Sequence, residues 1–191
     1  MKRILLTILV GVCACTAFGQ SANLRKAVAH YRNAQGATAT ALRSDHKAAV
    51  KKVATYSGTL AMSRPDDVTI SVNGGKDQLI MNGNVFTMVV RGKRHATDSR
   101  KDAQFASFQQ VLEYILSGGT HGNLSRLTDL RETDQGSSIL LTITPQSAKK
   151  RARFASFVLC LDKNSGALRS LRINQRGNNY TEYVFSNFKF K

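Results

Sequence analysis

From Thr55 onward, apolar and polar residues alternate along short segments. Tyr56, Gly58, Leu60, Met62 and Arg64 interleave with Thr55, Ser57, Thr59, Ala61 and Ser63, a period of two that predicts a strand stopped by Pro65. Val68, Ile70 and Val72 alternate with Asp67, Thr69 and Ser71 before a turn at Asn73-Gly74-Gly75. Asn82-Gly83-Asn84 then separates the apolar run 78–81 from the run 85–90, and Asn-Gly between apolar runs is the strongest short-range hairpin signal. Further strands are expected over 137–144, with Ile139, Leu141 and Ile143 on one face, and over 151–161, 167–174 and 180–190. Turn residues lie between them at 162–166 and 175–178. Strands joined so tightly must be antiparallel neighbours, because parallel pairing needs a long crossover.

Two segments follow the helical period instead. Leu24, Ala27, Val28 and Tyr31 predict a helix over 22–35, closed by Gly36. Phe105, Phe108, Val111, Leu112, Ile115 and Leu116 make one apolar stripe, with Asp98 or Ser99 to cap its start and Gly118-Gly119 to stop it. The Ala- and Lys-rich stretch 37–54 leans towards two strands joined near Ser44-Asp45. A single helix with two Phe and four aliphatic residues is a small cover for so large a sheet. The sheet therefore either curls around a core or encloses a cavity roofed by the helix.

The first residues are a secretion leader in pattern. Lys2 and Arg3 precede an apolar run, residues 4–17, too short to span a bilayer comfortably, and Ala17-Phe18-Gly19 offers small residues where a signal peptidase reads them. Residues 1–19 are thus expected to be a signal peptide cut before Gln20, leaving residues 20–191 as a single domain outside the cytoplasm. Val12-Cys13-Ala14-Cys15 offers lipidation of Cys15 as the alternative. Cys160 then stands alone in the mature chain and is expected to be a small buried hydrophobe.

Charge narrows the partners. The chain carries 28 Lys and Arg against 12 Asp and Glu. Without Lys2 and Arg3 the mature net is +14, an excess that favours acidic partners such as lipid head groups; an exported protein is not expected to meet nucleic acid. The densest basic runs are 91–94, 100–101 and 149–153. No enzyme or cofactor is indicated. His95, Asp98 and Ser99 crowd within five residues, whereas catalytic triads are assembled from distant segments. His30, His46, His95 and His121 have no metal-ligand spacing.

The segment Tyr56-Ser57-Gly58-Thr59-Leu60-Ala61-Met62-Ser63-Arg64-Pro65, followed by the hairpin around Asn82-Gly83-Asn84, the helix and the closing Tyr183-Val184-Phe185-Ser186-Asn187-Phe188, resembles the LolA-like lipoprotein carriers. The similarity covers roughly residues 50 to 190. It implies a mainly antiparallel β fold with α, a half-open β-barrel covered by a helical lid. It also implies a periplasmic chaperone, a monomer, that shelters lipoprotein acyl chains and moves them from the inner membrane to the outer membrane. An inner-membrane release complex and an outer-membrane receptor would be its partners. The alternatives are a carrier of another lipid or glycolipid, or a non-carrier envelope protein docking to acidic head groups. Lining residues would be Leu60, Met62, Ile70, Val72, Phe86, Met88, Ile139, Leu141 and Ile143, with Phe105, Phe108, Leu112 and Ile115 from the lid. In the family, the Arg before Pro bonds the lid's backbone and closes the empty form; Arg64 matches it, and by alternation shares the face of Leu60 and Met62. The chain departs from the family in having no Trp, so its lining would be aliphatic, Met and Phe.

Overall fold

A computed structural model of the chain describes residues 21–145 and 154–191. The expected leader, Cys15 and the basic run 149–153 lie outside the described residues. Among the described residues, helix α1 (Ala22–Ala29) comes first, followed by strands β1 (Gly36–Lys47), β2 (Val50–Ser63), β3 (Asp67–Val72), β4 (Asp77–Asn82), β5 (Val85–Val90) and β6 (Lys93–Asp98). Helix α2 (Ala103–Leu116) and a 3-10 turn (Leu124–Arg126) lead into β7 (Leu130–Gln135), β8 (Ser138–Ile143), β9 (Phe154–Asp162), β10 (Leu168–Gln175) and β11 (Tyr180–Phe190).

The eleven strands make one antiparallel sheet in the order β6-β5-β4-β3-β2-β1-β11-β10-β9-β8-β7. Two meanders are therefore joined back to back by β1 and β11, where Leu42 faces Val184 and Arg43 faces Tyr183. The sheet does not close; β6 and β7 are its edges, and α2 lies in the connection between them. This is the expected class, a mainly antiparallel open sheet with two helices.

Alternation places one residue set on a common inner face. Leu60 pairs with Ile70, Met62 with Val68, Met81 with Phe86, and Leu141 with Leu159; all eight side chains are buried. The first strands differ from expectation in where they turn. The chain runs straight through Ser44-Asp45 and reverses at Ala48-Ala49, because β1 and β2 keep pairing as far as Lys47 with Val50. Two strands were not expected at all. β6 is Lys-Arg-His-Ala-Thr-Asp and β7 is Leu-Arg-Glu-Thr-Asp-Gln. Neither carries an alternating apolar set, since an edge strand need not be half-buried.

Helix α1 is shorter than its periodicity suggests. The Ser21 side chain caps it by accepting from the Leu24 amide at 3.0 Å. Ser21 also bonds Glu132, and Asn23 donates to Asp134 at 2.9 Å, so the cap region is fastened to β7. After Ala29 the backbone tightens into turns, with the Tyr31 and Arg32 amides donating to Val28 and Ala29 carbonyls. Tyr31 stays buried by packing edge-on to Phe190, ring centroids 4.9 Å apart. Gly36 does not close the helix; it opens β1.

Helix α2 is stopped as expected. Gly118 and Gly119 both have positive φ, and their amides donate to Ile115 and Tyr114 carbonyls at 2.9 Å. Its start differs. Asp98 ends β6 and pairs with Arg100. Ser99 is buried and hydrogen-bonded to Gln109. Neither residue caps the helix.

Candidate functional site

The inner face of the sheet is apolar along most of its length and charged at one end. In the apolar part, Leu60, Met62, Ile70, Val72, Phe86, Ile139, Leu141 and Ile143 are buried, and Met88 is partly buried against them. Phe105, Phe108, Leu112 and Ile115 of α2 are buried over this face, in the same cluster. The structure thus brings every lining and lid residue expected from sequence into one place.

The cover is aromatic where helix and sheet meet. Phe105 stacks on Phe86 at 4.0 Å, and Phe108 stacks on Phe157 at 4.6 Å. Phe154 packs edge-on to Phe105 at 5.4 Å. Phe154 and Phe157 were not among the expected lining residues. The alternation of Phe157, Leu159 and Leu161 was their signal in the sequence, and all three are buried. These side chains pack between α2 and the sheet, so an apolar guest entering there would have to displace them.

Polar bonds hold α2 at its middle and just past its C-terminal end. Gln109, midway along the helix and buried, accepts a hydrogen bond from Ser99, and its amide nitrogen reaches the Gly83 carbonyl at 2.8 Å and Asn84 Oδ1 at 3.1 Å. This ties the helix to the β4–β5 turn. Just past the C-terminal end of the helix, Arg32 Nε donates to the Gly118 carbonyl at 3.0 Å.

Arg64 lies next to that junction. It is exposed rather than turned onto the apolar face, because β2 ends at Ser63 and the chain leaves the sheet. Its guanidinium donates to the Arg32 carbonyl at 2.9 Å, after α1. The acceptor is therefore not in α2, although Arg32 itself reaches the end of α2.

The charged end centres on Arg43, which continues the inner row Ala37, Ala39, Ala41. Arg43 meets Asp45 through two parallel hydrogen bonds of 3.0 and 2.8 Å and lies 3.3 Å from Asp77. Asp77 is only 5% exposed. It accepts from the Arg91 amide at 2.7 Å and the Asn73 amide at 3.0 Å. Burial alone would raise the Asp77 carboxyl, but these donors and the Arg43 charge outweigh it and hold it below its ordinary 3.8. Tyr183, beside Arg43, is pushed up to about 12, chiefly by burial.

A depressed carboxyl contributes stability above its unfolded pKa, and that contribution is lost as pH falls through the folded value. Asp77→Asn should therefore lower the midpoint of denaturant unfolding at pH 7, and the gap to wild type should narrow below pH 3.8.

Around this network opens a cleft of about 550 Å³, lined among others by Lys47, Tyr56, Arg91, Lys93, His95 and Tyr180. Among the described residues no cluster of His, Cys, Asp and Glu could hold a metal ion, and no helix is long and apolar enough to cross a membrane. Cys160 is free and half-buried, not buried as expected.

Comparison with known proteins identifies the architecture. A model of the family described as outer membrane lipoprotein carrier protein LolA matches residues 32–191. Among solved structures, a Vibrio parahaemolyticus domain assigned to outer membrane lipoprotein sorting is 9% identical, with 88% of this chain and 91% of that chain covered and a TM-score of 0.44. A LolA superfamily protein from Nitrosomonas europaea is 7% identical, covering 91% and 94%, at a TM-score of 0.37. The lipoprotein LppX of Mycobacterium tuberculosis is 13% identical, covering 87% and 93%, at 0.37. No curated protein matches the chain in sequence at a significant level.

Proposed function

The chain belongs to the LolA family of outer membrane lipoprotein carriers, and from that premise we propose that it is a periplasmic carrier. It shelters lipoprotein acyl chains on its apolar inner face and moves them from the inner to the outer membrane, without catalysis. Residues 20–191 form its single domain, freed from the leader 1–19, and it works as a monomer between an inner-membrane release complex and an outer-membrane receptor.

The observation that carries this reading is the relation of α2 to the sheet. An apolar face is covered by one helix, with aromatic side chains inserted and polar bonds at the middle of the helix and just past its C-terminal end. An acyl chain gains about 0.8 kcal/mol for each methylene it removes from water. A guest entering beneath α2 replaces the contacts of Phe105 and Phe108 with its own, so the net affinity stays moderate. Moderation suits a carrier, which must bind better than water and worse than the receiving membrane. Met62 and Met88 lend pliable walls for chains of varied shape. Arg64 acts as the gate through Arg32: releasing the Arg32 carbonyl loosens the turn that holds Gly118 at the end of α2.

Native mass spectrometry with lipid extraction, on protein taken from its own periplasm, tests the proposal. Bound acyl lipid or lipoprotein is the expected result. Gln109→Ala, which removes the bonds to Ser99, Gly83 and Asn84, should speed uptake of a fluorescent fatty acid severalfold. The buried hydrogen bonding it removes from the middle of α2 is worth about 1–3 kcal/mol. A clean apo mass with no uptake by either protein would overturn the carrier reading and leave surface docking to acidic head groups in its place.

A further inference from the structure

The inner face changes character along the strands. On β1, Ala37, Ala39 and Ala41 are buried, and the next two inward positions are Arg43 and Asp45. On β4, Leu79 and Met81 share their face with Asp77. On β6, Lys93 and His95 stand opposite Val90 and Met88 of β5. The apolar floor thus runs without interruption into the polar cleft.

The cleft has a fixed part and an open part. Arg43 is committed: Asp45 holds it with two bonds, Asp77 lies on its other side, and Tyr56 lies under its guanidinium at 5.6 Å. Thr181 donates to Asp45 at 2.9 Å and fixes that carboxylate from β11. Arg43 thus offsets one of the two carboxylate charges, and the Arg91 charge also acts on Asp77. Lys47, Arg91 and Lys93 on the rim are exposed and make no ion pair among the described residues. With Arg43 they set four cations against the two carboxylates, and the positive excess points to an anion. His46, stacked on Tyr180 at 4.2 Å, adds a flat polar wall.

We infer that this cleft is a head-group subsite: it takes the phosphate of an anionic amphiphile whose tail lies on the adjoining apolar face. The inference rests on the carrier reading and adds a cargo class to it. The preorganised Asp77–Arg43–Asp45 network shapes the floor, and Lys47, Arg91 and Lys93 supply the attraction. Phosphate suits the site because several point charges and a polar floor can surround its oxygens.

Isothermal titration of the mature protein with dodecyl phosphate, dodecyl maltoside and inorganic phosphate, all below micelle formation, tests it. Dodecyl phosphate should bind at least about tenfold more tightly than dodecyl maltoside at low salt, with the preference shrinking as salt rises. The double variant Lys47→Glu, Lys93→Glu should abolish that preference and leave dodecyl maltoside affinity unchanged. Both side chains are exposed, so the variant should keep the wild-type unfolding midpoint within a few degrees. Equal affinity for the two amphiphiles overturns the subsite while leaving a carrier. Inorganic phosphate binding as tightly as dodecyl phosphate overturns it in favour of a free-anion site. Failure of both amphiphiles to bind overturns the carrier reading and the subsite together.

Discussion

Phe108→Ala is expected to destabilise the fold by about 3–5 kcal/mol, the usual range for removing a fully buried aromatic ring. Phe108 is completely buried, stacked on Phe157 at 4.6 Å and edge-on to Phe86 at 6.4 Å. Its removal takes away contacts between α2 and both halves of the sheet at once, since Phe86 lies in β5 and Phe157 in β9. Against a total stability of about 5–15 kcal/mol, that is a large share. Urea unfolding followed by far-UV circular dichroism gives the change directly. A loss below about 1 kcal/mol would mean that α2 contributes little to the fold and rests on the sheet only loosely. Amide hydrogen exchange then localises the effect: protection over α2 should fall further than protection over β1 and β2.

The second large effect is expected from a single methyl group. A Cβ added at Gly58 would lie 1.9 Å from the Ser71 carbonyl oxygen and 2.7 Å from Val72 Cα, both backbone atoms of the paired strand β3. Neither can retreat without breaking the ladder on which Leu60 and Ile70 depend. Gly58→Ala should cost more than about 4 kcal/mol, beyond the range of ordinary substitutions, and soluble yield should collapse. Gly136→Ala is the matched control: it meets no atom within 4 Å and carries only the strain of its positive φ of 56°, about 1–2 kcal/mol. Equal yields of the two variants would contradict the close approach of β2 and β3.

What the sequence discloses follows from what each strand buries. β3 and β8 are half-buried, and their buried and partly buried positions alternate without error; both were legible. β6 and β7 close the sheet at its edges and bury nothing regular, so a search for alternation passes over them. β1 fails for another reason. Its inner row begins with alanines and continues with Arg43 and Asp45, so the apolar period fades before the strand ends. Its turn, Ala48-Ala49, contains no turn-forming residue. The apolar face and the helix packed on it were legible because both are runs of large apolar side chains. The charged end was not, because Arg43, Asp45 and Asp77 come from strands that meet only in three dimensions. Gln109 was equally hidden: one polar residue in an apolar stripe gives no hint of the Gly83 and Asn84 partners some twenty-five positions earlier. Arg64 was placed by its motif; what alternation could not tell is that it stands exposed, since the strand stops one residue short, and bonds the Arg32 carbonyl.

The seam between β1 and β11 also bears on how the protein comes to be folded. Within each meander, strands meet their sequence neighbours across short turns, so contacts form early and with little loss of chain freedom. The seam instead joins Ala41 to Phe185 and Arg43 to Tyr183, residues that are almost the whole chain apart. Two half-sheets can assemble independently, but they become one only when the last strand is available to dock. A chain emerging from a ribosome or a translocon therefore cannot complete its sheet until its end has appeared, and the unfinished halves expose the apolar rows that later face α2. Such a late commitment makes the docking of β11 the step that joins the two halves into one sheet.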